Sequence, residues 1–217
     1  MKGIEIGRPV GEGHPPYIIA AVDCLEVPTF EAALAAVDAA ADCKCDAVKF
    51  TAIRWAWAAQ LFHRAELRGL GVLATPLDDR EVARLDWLGV HAFHLFFDWC
   101  DLELVARAAR TGKPIVMAVG KATPDELAEV VAIANAHGRS GIALVQTVLD
   151  VDLAGLDVLR AHVSAVGICD LSPGASIPVA AVGRGASIIE KTTDLHTTVR
   201  DCEAAWASAI SGRWTVN

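Results

Sequence analysis

No run of apolar residues in this chain reaches the roughly 18 to 20 needed to span a bilayer. The mean hydropathy of +0.38 and the hydrophobic fraction of 53% must therefore be spent on a soluble core. The start, Met1-Lys2-Gly3-Ile4-Glu5, lacks the charged region and apolar stretch of a signal peptide, so a cytoplasmic location is expected. No linker, low-complexity segment or composition shift marks a second domain, and residues 1–217 read as one. A chain of this length buries roughly 70% of its unfolded surface and needs neither disulfides nor metal to hold a core. The six cysteines (Cys24, Cys43, Cys45, Cys100, Cys169, Cys202) lack the paired CxxC spacing of a zinc site and read as reduced, incidental thiols. Cationic residues are also scarce: 19 Lys and Arg against 27 Asp and Glu leave a net charge of -8. Nucleic acids and anionic membranes are bound chiefly through Lys and Arg, so neither is an expected partner. A small anionic metabolite held by a few well-placed cations fits this balance.

What the chain does contain is a recurring pair of patterns. Short β-rich runs occur at 18–22, 47–51, 72–75, 92–96, 115–119, 142–148, 165–169 and 187–192, each followed by a helical pattern. Thr29 precedes the Ala-rich helix 30–41, and Asp79 and Asp101 are expected N-caps for helices 80–88 and 102–110. The clearest start is Thr123-Pro124-Asp125-Glu126, with a cap, a first-turn proline and a capping-box glutamate; that helix should stop at Gly138. Strands alternating with helical crossovers suit a parallel sheet, and eight such units predict a closed, lean (β/α)8 TIM barrel of the α/β class. The turn Gly11-Glu12-Gly13-His14-Pro15-Pro16 is expected to plug its floor.

In a (β/α)8 barrel, chemistry sits at the C-terminal strand ends. Those ends carry Asp23, Lys49, Thr51, Thr75, Asp78, His94, Asp98, Lys121, Gln146, Cys169, Asp170 and Glu190. Lys49, His94, Asp170 and Glu190 are the expected catalytic residues. Asp23, Thr51, Thr75, Asp78, Asp98, Lys121, Gln146 and Cys169 are the expected substrate contacts. His94 would shuttle protons near neutral pH, and Lys121 would hold an anion at the start of the Thr123 helix. Lys49 would bind an anion or form a Schiff base with a carbonyl. The plainer alternatives are that His94 is a satisfied barrel-layer residue and that Lys49 is the ion-pair partner of Asp23 or Glu190.

Arg8-Pro9-Val10-Gly11-Glu12-Gly13-His14-Pro15-Pro16-Tyr17-Ile18-Ile19-Ala20, Asp46-Ala47-Val48-Lys49-Phe50, Ala74-Thr75-Pro76-Leu77-Asp78, Thr111-Gly112-Lys113-Pro114-Ile115-Val116 and Gly185-Ala186-Ser187-Ile188-Ile189-Glu190-Lys191 together resemble the N-acetylneuraminate (sialic acid) synthase family. The resemblance implies a (β/α)8 catalytic domain that condenses phosphoenolpyruvate with an N-acetylated amino sugar, using a divalent metal. It also implies dimers, and a small C-terminal antifreeze-like domain that is expected to be absent here. By the same resemblance Lys49 and Thr75 would hold phosphoenolpyruvate, and Glu190 would lie near the metal.

The departures are concentrated in the site. His94 stands where the family has lysine, Phe97 for serine, Ala118 and Val119 for serine and threonine, Lys121 for methionine, Gln146 for histidine and Cys169 for serine. Leu171 and Thr192 replace the two metal-binding histidines, and Ala21 replaces the acid that addresses the amino sugar. Leu cannot ligate a metal and Thr is a poor neutral donor, so no metal and no other cofactor are expected. The reading taken is a metal-independent lyase or synthase acting on a small anionic carbonyl or sugar-derived substrate. A catalytically degenerate metabolite-binding or interaction barrel is the first alternative, suggested by Phe93, Phe96, Phe97, Trp99, Trp55 and Trp57. A phosphoenolpyruvate-dependent sugar acid synthase is the second. A homodimer is expected from the family habit and from Trp87, Trp206 and Trp214 on helix surfaces.

Overall fold

The computed structural model describes residues 3–148, 152–192 and 195–210. It begins with a feature the sequence reading missed, an antiparallel pair of three-residue strands, β1 (Ile4–Ile6) and β2 (Arg8–Val10). Gly7 makes the turn at φ +68, a left-handed conformation that glycine adopts without strain. Ile4, Ile6 and Val10 are buried and join Tyr17, Ile19, Ala47, Ala143 and Ile188 in one apolar cluster inside the barrel. The floor plug is therefore this hairpin. In the expected plug, Glu12 to Pro15 are exposed, because a Gly- and Pro-rich turn has too little apolar surface to fill a barrel.

After the hairpin, strands and helices alternate: β3 (Tyr17–Asp23), α1 (Phe30–Asp42), β4 (Ala47–Thr51), α2 (Trp55–Leu67), β5 (Gly71–Ala74), α3 (Asp79–Trp87), β6 (Ala92–Phe96), α4 (Leu102–Arg110), β7 (Ile115–Val119), α5 (Pro124–His137), β8 (Ile142–Val148), α6 (Gly155–Arg160), β9 (Val166–Asp170), α7 (Ser176–Gly183), β10 (Ile188–Lys191) and α8 (Leu195–Ile210). Strands β3 to β10 pair in parallel, and β10 returns to β3, closing an eight-stranded barrel. Each expected strand is present within two residues at either end. Among the expected caps, Thr29, Asp101 and Thr123 accept from the backbone as the sequence implied, and Glu126 completes the capping box. The cap of α3 is Asp78, whose Oδ1 accepts from Glu81 N at 2.8 Å, one residue before the expected Asp79.

Arg8 locks the hairpin to the barrel. Its Nε lies 2.6 Å from Asp46 Oδ1, and its terminal nitrogens donate to the carbonyls of Pro15 at 3.1 Å and Pro16 at 2.9 Å. The other oxygen of Asp46 accepts from Ile18 N at 2.8 Å, so one carboxylate ties the plug to the start of β3. Two of the segments that carry the family resemblance thus have structural work at the floor.

Along each strand, alternate residues face the barrel axis and the helices. Ile18, Val48, Phe93, Ile115, Leu144, Ile168 and Ile189 belong to the outer layer packed under the helices. Tyr17, Ile19, Ala47, Leu73, Ala92, Val116, Val145 and Ile188 fill the interior. Gly167 is the closest crossing in this wall: a Cβ there would lie 2.1 Å from Ile188 O and 2.6 Å from Ile188 Cβ. Gly167→Ala should destabilise the barrel by about 1–3 kcal/mol or more through overpacking, read as a lowered midpoint in urea; an unchanged midpoint would refute this placement of β9 against β10.

Candidate functional site

The same alternation decides which polar strand-end residues meet. Lys49 shares the inward face of β4 with Ala47, His94 that of β6 with Ala92, and Glu190 that of β10 with Ile188. Glu190 pairs in register with Ile19, and Lys49 with Ala21, so Lys49 and Glu190 reach toward each other across β3. Lys49 Nζ lies 2.5 Å from Glu190 Oε1, with both residues almost wholly buried. Cys169 Sγ donates to the same oxygen at 3.2 Å. His94 Nδ1 is 3.4 Å from Thr75 Oγ1. Its Nε2 lies 3.0 Å from Glu190 Oε2, and neither of these two buried atoms has any other partner among the described residues.

Aromatic rings cover this cluster. Phe96, the last residue of β6, places its ring 5.1 Å from Lys49 Nζ and 4.8 Å, edge-on, from the His94 ring. Trp99, in the short 3-10 turn Phe97–Trp99, sits 4.4 Å from Phe96 and is 63% exposed. The polar atoms therefore lie in a medium of low dielectric, where charges interact strongly and free charges are costly.

The electrostatics follow. Burial alone would raise the Glu190 carboxyl, but the Lys49 ammonium beside it holds it well below the usual carboxylate range. Burial pushes His94 below its ordinary value, and Lys49 adds to that push, while Glu190 opposes it. Lys49 already neutralises Glu190, so the field of the pair at the imidazole is small and burial decides: His94 is neutral. Burial and the adjacent Glu190 raise the Cys169 thiol well above its ordinary value, so it remains a protonated donor.

Of the expected site residues, the structure brings together Lys49, Thr75, His94, Cys169 and Glu190. Asp170 and Gln146 share the outward parity of Ile168 and Leu144 and lie outside the barrel interior. Asp170 accepts from Lys191 Nζ at 2.8 Å and from Ser172 Oγ at 2.7 Å, and Lys191 also donates to Ser172 O. This second buried pair, both members 0% exposed, ties β9 to β10 on the helix side. Gln146 donates to Asp152 O at 3.0 Å, next to α6. Asp78 is occupied as the α3 cap. Asp23 accepts from Leu25 N at 2.9 Å at the rim, so the ion-pair partner of Lys49 is Glu190. Thr51 is half-buried beside Asp23 in register, while Asp98 and Lys121 are exposed on the rim with no ion pair to the cluster among the described residues. Just past Thr51, Ala52 has φ +49, a strained backbone at the mouth.

Of the aromatic residues, Phe96 lies over the cluster with Trp99 tilted against it, whereas Phe93 belongs to the outer layer. Trp57 packs with Phe30 at 5.9 Å, and Trp55 donates to Glu81 at 3.2 Å. Lys191 was missed by the sequence reading; the register of Glu190-Lys191 against Cys169-Asp170, which follows from parallel pairing, was the signal that would have found it.

Residues 51–210 match the model of the NeuB family, and the chain belongs to that family. It is 28% identical over 166 residues to the pseudaminic acid synthase of Helicobacter pylori, an alignment covering 72% of this chain and 48% of that protein. It is also 28% identical over 222 residues to an uncharacterised protein of Methanocaldococcus jannaschii, covering 88% and 66%. The chain thus spans about half to two thirds of the length of these relatives. Among solved structures, the N-acetylneuraminic acid synthetase of Leptospira borgpetersenii superposes with a TM-score of 0.85 at 24% identity, over 96% of this chain and 89% of that one. The spore coat polysaccharide biosynthesis protein SpsE of Bacillus subtilis gives 0.88 at 22%, over 98% and 74%. At these identities the structures establish the shared barrel.

Replacing Glu190 strands the Lys49 ammonium in the interior, and loss of one partner of a buried pair costs about 3–5 kcal/mol. Glu190→Gln should lower stability by that order in urea unfolding at pH 7. The folded-state Glu190 value lies below the unfolded one, so its contribution is complete above the ordinary carboxylate value of about 4.3 and is lost as pH falls below it. The difference between wild type and Glu190→Gln should therefore shrink on acidification; a difference that stays constant down to pH 3 would contradict this account of the pair.

Proposed function

We propose that this NeuB-family barrel binds a small anionic carbonyl compound, of the 2-oxo acid type, at the C-terminal ends of its strands and makes or breaks a carbon–carbon bond in it without a metal ion. The observation that carries the proposal is the buried Lys49–Glu190–His94 cluster under the Phe96 ring. Lys49 supplies the cation for a carboxylate or carbonyl oxygen, and neutral His94 supplies a base of suitable strength. Water exclusion by Phe96 and Trp99 strengthens both effects.

The donor set supports metal-free chemistry. The positions at which the family resemblance implies histidine ligands hold Leu171 and Thr192, both exposed. Among the described residues, no three His, Cys, Asp or Glu side chains gather as a metal site. Glu190, the retained acid, is already engaged by Lys49. A divalent ion would meet one compensated carboxylate and no imidazole it could share without breaking the cluster, so the residues present do not fit one.

A non-catalytic barrel is favoured by one observation: Lys49, Thr75, His94, Cys169 and Glu190 are each no more than 5% exposed. A homodimer is also proposed, with Trp87, 85% exposed on α3, as its candidate anchor. Trp206 is half-buried, and Trp214 lies outside the described residues. No helix among the described residues is long and apolar enough to cross a membrane.

Thermal denaturation with pyruvate, phosphoenolpyruvate and N-acetylated amino sugars, each with and without Mg²⁺ or Mn²⁺, tests the reading. A 2-oxo acid at about 100 times its Kd adds about 2.7 kcal/mol, a rise of roughly 5–10 °C at the usual 2–4 °C per kcal/mol for a domain of this size. The expected pattern is stabilisation by pyruvate without metal, abolished in Lys49→Ala. Stabilisation that requires metal together with phosphoenolpyruvate would overturn it in favour of ordinary synthase chemistry.

A further inference from the structure

We propose that Lys49 is a nucleophile: its Nζ forms an imine with the carbonyl carbon of a small 2-oxo acid, His94 takes and returns the proton, and Glu190 is the fixed anion between them. This rests on the ligand class proposed above and adds a covalent step to it.

A buried lysine becomes a nucleophile only if it can shed its proton without leaving an uncompensated charge. In a Lys–Glu pair alone, loss of the ammonium proton to solvent strands the carboxylate, and the carboxylate itself, held well below its usual range, is a poor acceptor for that proton. The third member changes the balance. Glu190 presents Oε1 to Lys49 at 2.5 Å and Oε2 to His94 at 3.0 Å. With the proton on Lys49 the carboxylate faces an ammonium; with it on His94 the carboxylate faces an imidazolium. The cluster is neutral overall in both states. His94 Nε2 and Glu190 Oε2 face each other and neither has another partner among the described residues, so a proton carried on Nε2 lies directly against the carboxylate. The Phe96 ring over Nζ keeps bulk water away from the reacting nitrogen.

The step balances. The free amine of Lys49 adds to the carbonyl carbon, forming the C–N bond, and its nitrogen passes a proton to the former carbonyl oxygen. The imidazolium of His94 protonates the resulting hydroxyl, the C–O bond breaks and water departs. The nitrogen is left as a protonated imine beside Glu190, in the place the ammonium held, and His94 is neutral again. No oxidant or reductant is consumed.

Lys191 supplies an internal control. It is as buried as Lys49 and is also paired with a carboxylate, Asp170, but it faces the helix layer with no histidine in its ion pair. Burial and ion pairing by themselves would make the two lysines alike; the proposed arrangement makes only Lys49 reactive.

The test is reductive trapping. The whole chain is incubated with pyruvate and sodium borohydride, digested, and mapped by mass spectrometry for a carboxyethyl group on each lysine. The expected result is modification at Lys49 in preference to Lys44, Lys113, Lys121 and Lys191, none at position 49 in Lys49→Arg, and trapping at least about tenfold slower in His94→Gln, since general acid–base catalysis contributes roughly 10²–10⁴-fold. Lys49→Arg preserves the positive charge beside Glu190, and its folding is checked by circular dichroism. Pyruvate that stabilises the protein with no adduct at Lys49, or an adduct on surface lysines alone, overturns the imine and leaves the ligand class standing. Absence of both stabilisation and adduct sinks the ligand class with it. Trapping in His94→Gln as fast as in wild type removes the role of His94.

Discussion

The contact on which the site depends is the ion pair between Lys49 and Glu190 on the axis of the barrel. A closed parallel barrel has a packed interior, and a carboxylate placed there must find a cation or give up its charge. Here the cation comes from β4 and the carboxylate from β10, the two neighbours of β3. The pair therefore spans the strands where the barrel closes. Everything else near the mouth is arranged around it: Cys169 shares Oε1, His94 faces Oε2, Thr75 faces the other side of the imidazole, and Phe96 covers Nζ.

A second buried pair, Asp170 with Lys191, joins β9 to β10, one residue along β10 from Glu190 and on its opposite face. The sequence Glu190-Lys191 beside Cys169-Asp170 thus sends one carboxylate–lysine contact inward and one outward. The outward pair also anchors the loop after β9 through Ser172. Adjacent residues of β10 thus enter two buried ion pairs, and among the described residues the inward one has a histidine, His94, beside its carboxylate.

The fold was legible because the apolar runs, caps and turns repeat without interruption. Thr123, Pro124 and Glu126 announce α5 from local chemistry alone, and the capping box is present as read. Asp78 in place of Asp79 as the α3 cap shows the limit of such signals: two adjacent aspartates offer the same side chain, and backbone geometry chooses. The hairpin was overlooked since three-residue strands fall below the length at which alternation is visible. Its alternating Ile4, Ile6 and Val10 make sense only once the barrel floor needs filling.

The sequence by itself determined the barrel, its family and the set of polar groups at the strand ends, because these follow from periodicity, local caps and residue type. Only the tertiary structure decided which of those groups meet. Asp170 and Glu190 look equivalent in a linear reading, as do Lys49 and Lys191. Strand pleat and register send one of each to the axis and the other to the helices, and a one-residue change of parity would exchange them. The partner of Lys49 was likewise undecided between Asp23 and Glu190 until the closure of β10 on β3 brought residues 141 positions apart to 2.5 Å.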